Sequence, residues 1–250
     1  MKRVWPWVNL GAFLVVVIVN ALANILPLNG ITTGEISDRF PVYFVPAGYV
    51  FSIWGLIYLL LAVYVTYGAT RRGREVADVG CLFALSCVAN VAWIFLWHYG
   101  VFGGTILAMV VLLGSLVAIY LRLRVRYPPA ARSRWLVQLP FSVYLGWVSV
   151  ATVANVSDVL YFWGWNGGGI APEVWAALMM VVAFLLALAM AYTRGDWAYG
   201  AVIVWALAGI GMRQIGTALV APAAWVLATL TAVGVIALAL MQPRKKRGAA

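Results

Sequence analysis

The chain has 250 residues, 65% of them hydrophobic and 10% charged, with a mean hydropathy of +0.98. A water-soluble domain of this size carries roughly a quarter charged residues, so a soluble fold is excluded and lipid must be the main solvent. The net charge of +10 does not point to nucleic acid, because most basic residues fall in short runs beside apolar spans, where they orient a membrane protein.

A membrane-crossing helix needs about twenty mostly apolar residues. Eight runs qualify in chain order: Val4–Ile25, Gly48–Ala69, Val79–Tyr99, Gly103–Leu121, Val137–Leu160, Glu173–Tyr192, Trp197–Gln214 and Thr217–Met241. The expected fold is therefore all-α, a polytopic bundle of about eight transmembrane helices. The first run follows Lys2 and Arg3 and ends near Ala21-Leu22-Ala23, an outline shared with cleavable signal peptides. Its length, and Trp5 and Trp7 as interfacial anchors, favour a retained helix.

The loops set the orientation. The first carries Glu35 and Asp38 against Arg39, the second Arg71, Arg72 and Arg74 against Glu75 and Asp78. The third, HYGVFGG, has no formal charge with His98 neutral; this lone histidine is expected at the interface rather than as a ligand. The fourth holds Arg122, Arg124, Arg126, Arg132 and Arg134 around a Pro- and Arg-rich hinge, YPPAARSRW. The fifth is a flexible GWNGGG turn between Asp158 and Glu173, and the tail reads PRKKRG. Lys and Arg gather at the N-terminus, loops two and four, and the tail, so both termini are expected in the cytoplasm, beneath the cell's inner membrane. Arg194 and Asp196 in the sixth loop carry no orientation signal, and Arg213 breaks the pattern. Cys81 and Cys87, six residues apart in one span, turn to different faces of a helix, so no disulfide between them is expected.

The polar residues inside the spans carry the functional signal. Ala-Asn recurs in ALANIL, CVANVAW and TVANVSD, placing Asn24, Asn90 and Asn155 in spans 1, 3 and 5, with Asn20 one turn before Asn24. All three spans run outward on the charge argument, and all four amides lie past their midpoints. Span 2 runs inward, so Phe51 and Trp54 share that outer half, and Phe51, Trp54 and Tyr58 project from one side of their helix. An amide facing lipid costs several kcal/mol. These groups are therefore expected to face one another as interhelical glue, or a ligand cavity with Trp54, Trp93 and Trp147 as its walls. The stripes Asn90–Trp93–Trp97 and Tyr144–Trp147–Ala151–Asn155 fit either outcome.

The order of an apolar helix, a long outer loop, a Pro-led helix with Trp54 and Tyr58, LFALSCVANVAWIF, then LPFSVYLGWVSVATVANVS resembles the TspO/MBR family of tryptophan-rich sensory and translocator proteins over residues 1–160. Trp54 and Tyr58 match a VWxxLY-like segment, Asn90 and Trp93 an LNxxW-like segment, and Pro140, Tyr144, Trp147 and Asn155 a PYxxWVSFATxLN-like segment. The resemblance implies a five-helix core with a pocket beneath the first outer loop that binds porphyrins and other flat apolar ligands. It carries over Trp54, Asn90, Trp93, Trp147 and Asn155 as pocket residues. The Trp-rich first loop of that family is absent here, and Tyr43, Phe44 or Tyr49 would have to replace its stacking ring. The expected sterol motif at the end of span 5 is also absent. Residues 161–250 read as a three-helix extension in which Gly209 and Gly211 permit close helix contact. There Arg213 either snorkels to the interface or supplies a cation for a ligand carboxylate.

The expected function is a membrane receptor for flat hydrophobic ligands such as tetrapyrroles, with signalling of light or oxidative stress as an option. The ligand-binding candidates are Phe51, Trp54, Tyr58, Asn90, Trp93, Tyr144, Trp147, Asn155, Asn24 and Arg213. The alternatives are a transporter of such ligands, for which no midplane ionisable residue is evident, and an enzyme degrading tetrapyrroles photochemically. No nucleophile–base pair, carboxylate dyad or metal set favours the last. No cofactor is required, although a bound porphyrin or haem-type ligand is compatible. Expected partners are membrane lipid and a small hydrophobic ligand, with a homodimer as an option and no nucleic acid.

Overall fold

The computed structural model describes residues 4–71, 74–127 and 133–241. Lys2, Arg3, Arg72, Arg132, most of the hinge and the basic tail lie outside the described residues. Eight long helices carry the fold: α1 Trp5–Ile25, α2 Ile53–Arg71, α3 Arg74–His98, α4 Phe102–Arg126, α5 Leu139–Phe162, α6 Pro172–Arg194, α7 Trp197–Arg213 and α8 Val220–Met241. Among the described residues there is no strand.

Seven helices are long and apolar enough to cross a membrane; α7, at 17 residues, is shorter. Its contacts still place it along the full bundle. Asp196, which caps its start, meets Arg124 near the end of α4, whereas Arg213 at its other end meets Asp38 in the first loop. Seventeen residues rise about 25 Å, the lower limit for a crossing helix.

Most boundaries fall within a few residues of those expected from apolar runs, and the shifts have local causes. Residues Gly48–Ser52 form a 3₁₀ turn, so α2 opens at Ile53 rather than at Gly48. Extended backbone at Ala47 precedes that turn, and the Ala47 N–H donates to Gly209 O (3.0 Å). α4 continues through Arg122 and Arg124 to Arg126, because arginine is a good helix former whether or not the apolar stripe has ended. A π-turn, Arg134–Gln138, leads into α5.

α1 packs on α3 and α2, α3 on α4, α4 on α5, and α5 on α7; α8 covers α6 and α7. α5 is central. Phe141, Tyr144, Trp147 and Val148 are all nearly inaccessible, and two thirds of its apolar window is buried, against 22% for α1 and α8. A helix apolar on all sides is suited to that position.

The first loop folds back over one end of the bundle. Its short helix, Thr33–Ser37, opens with a capping box: the Glu35 N–H donates to the Thr32 hydroxyl, and the Thr32 N–H donates to the Glu35 carboxylate. These hydrogen bonds from Thr32 hold the Glu35 carboxyl below its ordinary range. Ile36 and Phe40 pack on Trp97, with Phe102 set edge-on to Phe40.

The last three helices hold the other flank of this loop. Tyr43 donates to Glu173 at the start of α6 (2.8 Å), Gln214 donates to Tyr43 O (3.2 Å), and Arg213 pairs with Asp38 (2.7 Å). The hydrogen bond to Glu173 raises the Tyr43 phenol. Gly209 lies directly against Val50 and Pro46, and a Cβ there would overlap Val50. Gly211 gives the same clearance to the Trp225 ring of α8. The close contact expected of this glycine pair is thus between α7 and the first loop on one side, and between α7 and α8 on the other.

Candidate functional site

Beneath the first loop lies a largely apolar cavity between α2, α3, α4 and α5. Phe51, Trp54, Asn90, Trp93, Trp147 and Asn155 line it. The rings are held at fixed angles. Phe51 and Trp54 both stand edge-on to Trp147, at 5.7 and 6.3 Å, and Trp54 stacks on Tyr58 at 5.5 Å. Trp93 stacks on Trp97 at 5.4 Å. Such offset and edge-to-face pairs are the favoured aromatic geometries. They fix the walls of the cavity.

The asparagines are mostly engaged with one another and with hydroxyls. Asn20 donates to Asn90 Oδ1 (2.8 Å), and Asn90 in turn donates to the Tyr144 hydroxyl (3.4 Å), a chain joining α1, α3 and α5. Asn155 donates to Thr105 of α4 (3.0 Å). The amides therefore act first as interhelical glue. Each such bond is worth about 0.6 kcal/mol on average in a membrane bundle.

Four candidates sit elsewhere. Tyr144 is buried one layer behind the wall, holding Asn90 and lying edge-on to Trp54. Tyr58 backs Trp54 rather than lining the cavity, and its buried hydroxyl has no partner. Asn24 is exposed at the end of α1 and folds its amide back onto Asn20 O. Arg213 lies outside the cavity wall and pairs with Asp38.

None of Tyr43, Phe44 and Tyr49 supplies the missing loop ring. Tyr43 turns to Glu173, Phe44 is buried in the core, and exposed Tyr49 lies edge-on to Trp205. The loop instead presents Thr33, Ser37, Val45 and Pro46 to the cavity.

His98 departs from the interfacial expectation, being 3% exposed. Its Nδ1 lies 3.0 Å from Leu28 O and its Nε2 3.0 Å from the Thr33 hydroxyl. A carbonyl only accepts, so Nδ1 donates to Leu28 O, and Nε2 shares a hydrogen bond with the Thr33 hydroxyl. With Trp97 donating to Thr33 O (3.2 Å) and Asn29 donating to His98 O (3.1 Å), the end of α3 staples the loop over the cavity.

Sequence reasoning missed two contributors. The loop helix had a readable signal in Thr32-Thr33-Gly34-Glu35, a capping-box pattern. Asp158, taken only as a loop boundary, lies on the cavity face of α5, 3% exposed, with Oδ1 lacking any partner. Its spacing of three from Asn155 was the available clue. The indole N–H groups of Trp93 and Trp147 are also buried without partners.

The free volume is about 70 Å³, far below the roughly 300–1,000 Å³ of pockets that enclose drug-sized ligands. A flat macrocycle enters only if the loop or the ring walls move. Among the described residues no group of His, Cys, Asp and Glu is arranged to hold a metal ion.

A family model described as TSPO-like protein matches residues 6–237, through all eight helices and well past residue 160. No curated protein and no solved structure gives a significant match. A polytopic helical membrane chain, matched over nearly its whole length by one family model, belongs to the TSPO-like family.

Proposed function

We propose that this protein is a membrane receptor for flat, largely apolar ligands of the porphyrin type, held beneath the first loop between α2, α3, α4 and α5. The observation that carries this reading is the cavity wall itself: Trp54, Trp93 and Trp147 converge there, and two of the three indole N–H groups are buried without a partner. Indole faces stack on a flat ring while their N–H groups bond to its edge. Buried polar groups are nearly always hydrogen-bonded, so unpaired donors around one cavity suit a bound partner. Membership of the TSPO-like family supports the same ligand class.

In this reading the structure is the closed form. Ligand entry displaces the loop helix and so breaks the His98–Thr33 and Trp97–Thr33 bonds. We place this end of the bundle outside and both termini in the cytoplasm, on the distribution of Lys and Arg. Residues 1–160 supply the cavity, and residues 161–250 brace the loop through Glu173, Gly209 and Arg213. The test is titration of purified protein in nanodiscs with a neutral porphyrin diester, followed by the shift of its main absorption band. Trp147→Leu is expected to weaken binding at least about tenfold, the scale of one lost aromatic stack together with its buried area. Unchanged affinity in folded Trp147→Leu and Trp54→Leu/Asn90→Leu proteins overturns the proposal.

A further inference from the structure

Among the described residues, three buried polar atoms around the cavity lack partners: Nε1 of Trp93, Nε1 of Trp147 and Oδ1 of Asp158. Two are donors and one is an acceptor. The asparagines between them already bond to Asn20, Tyr144 and Thr105. An aspartate 3% exposed inside a membrane bundle is costly unless something pairs with it. Arg213, a cation within electrostatic reach, pairs with Asp38 instead. Trp147, Ala151, Asn155 and Asp158 follow spacings of four, four and three, so α5 directs all four into one cavity.

We infer that Asp158 sets the ligand's chemical class: the protein takes a flat apolar ligand that offers Asp158 a cationic or N–H donor, and it disfavours one presenting a carboxylate there. The inference rests on the proposed binding role and deepens it. A carboxylate brought beside an ionised Asp158 meets like charge in a low-dielectric wall and is disfavoured unless one of the two takes up a proton, whereas a cation favours the ionised form. An ammonium or N–H meets the only orphaned acceptor on that wall among the described residues. The indole N–H groups of Trp93 and Trp147 then bond to an acceptor elsewhere on the ligand's edge. The ligand is thus polar at two points of its rim and apolar across its faces. The carboxylate-first pose that Arg213 would favour is not the one this cavity receives, because Asp38 already neutralises that guanidinium.

The test compares three probes sharing one porphyrin ring: a dicarboxylate, its neutral dimethyl ester and an aminoalkyl derivative. Each is titrated into full-length protein in nanodiscs of zwitterionic lipid, with empty nanodiscs correcting for partition. The aminoalkyl ring is expected to bind at least about tenfold more tightly than the dicarboxylate, the scale of one buried charge contact. Asp158→Asn keeps the shape and removes the charge, so it should abolish that preference. Asp158→Glu should retain the preference, which separates charge from packing. Ester binding with no preference, or with a preference that survives Asp158→Asn, overturns this inference alone. Failure of all three rings to bind overturns the proposed receptor function and this inference with it.

Discussion

The two ends of the bundle each bury an aspartate, and they treat it in opposite ways. At the arginine-rich end Asp196 is 2% exposed and fully engaged: Arg124 pairs with it at 3.0 Å, the Ser142 hydroxyl donates at 2.7 Å, and the Tyr199 N–H donates at 3.2 Å. Arg126 and the Tyr127 hydroxyl likewise meet Asp78, and burial with that hydrogen bond pushes the Tyr127 phenol up to about 12. At the loop-covered end Asp158 is equally buried, yet Oδ1 has no partner. A buried charge with a complete set of partners locks helices together; one left incomplete beside a cavity is available to something not yet there.

The comparison breaks first at Asp196. Replacing it by Ala leaves Arg124 without its ion pair, strips the cap from α7 and removes the acceptor for Ser142. A loss of about 3–5 kcal/mol is expected from breaking such a buried pair. It should appear as a large fall in the thermal midpoint of detergent-solubilised protein, followed by size-exclusion of the surviving monodisperse fraction. A midpoint unchanged within error would show that the cluster does not hold α4, α5 and α7 together.

A smaller effect is expected at the brace between loop and α7. Gly209→Val must push Val50 or Pro46 aside, an overpacking that costs about 1–3 kcal/mol. The displacement should open the first loop rather than the arginine-rich end. Hydrogen exchange is therefore expected to accelerate around residues 45–52 and to stay unchanged around Asp196. Acceleration confined to α8 would mean that α7 yields towards Trp225 instead. Smaller again, Asp158→Asn in the ligand-free protein should change the thermal midpoint little, or raise it, because it removes an incompletely paired charge instead of breaking a pair. A destabilisation as large as that of Asp196→Ala would erase the difference between the two ends.

How much of this was legible in the sequence depends on the length scale of the signal. The seven helices long and apolar enough to cross a membrane were readable because each needs a long apolar run, a property local to its own residues. The convergence of Asn90, Trp93, Trp147 and Asn155 was readable because alternate spans run in the same direction, and direction with position in the span fixes relative depth. Which atoms are satisfied was not readable. Asn155 and Asp158 stand three residues apart on one face, yet Thr105 of α4 serves the first and nothing serves Oδ1 of the second. That difference is set by a neighbouring helix about fifty residues away. His98 reads as interfacial for the same reason, since its partners Leu28 and Thr33 lie in a loop whose path the apolar pattern does not encode.

The smallest expected effect concerns how firmly the loop is held. Arg213 is 26% exposed and Asp38 60% exposed, so solvent screens their pair, and such pairs contribute about 0–1 kcal/mol. Arg213→Gln should therefore leave the thermal midpoint within error, because its effect is confined to a local opening of the loop. An opening easier by up to 1 kcal/mol is a factor of about five in population. Protease cleavage or exchange around residues 36–44 should accelerate by no more than that. High salt should produce the same acceleration in the unaltered protein and none in Arg213→Gln, since screening removes only a pair that exists. If the loop of Arg213→Gln instead opened a hundredfold faster, Arg213 would be the main latch, and the His98–Thr33–Trp97 staple at the end of α3 would be secondary.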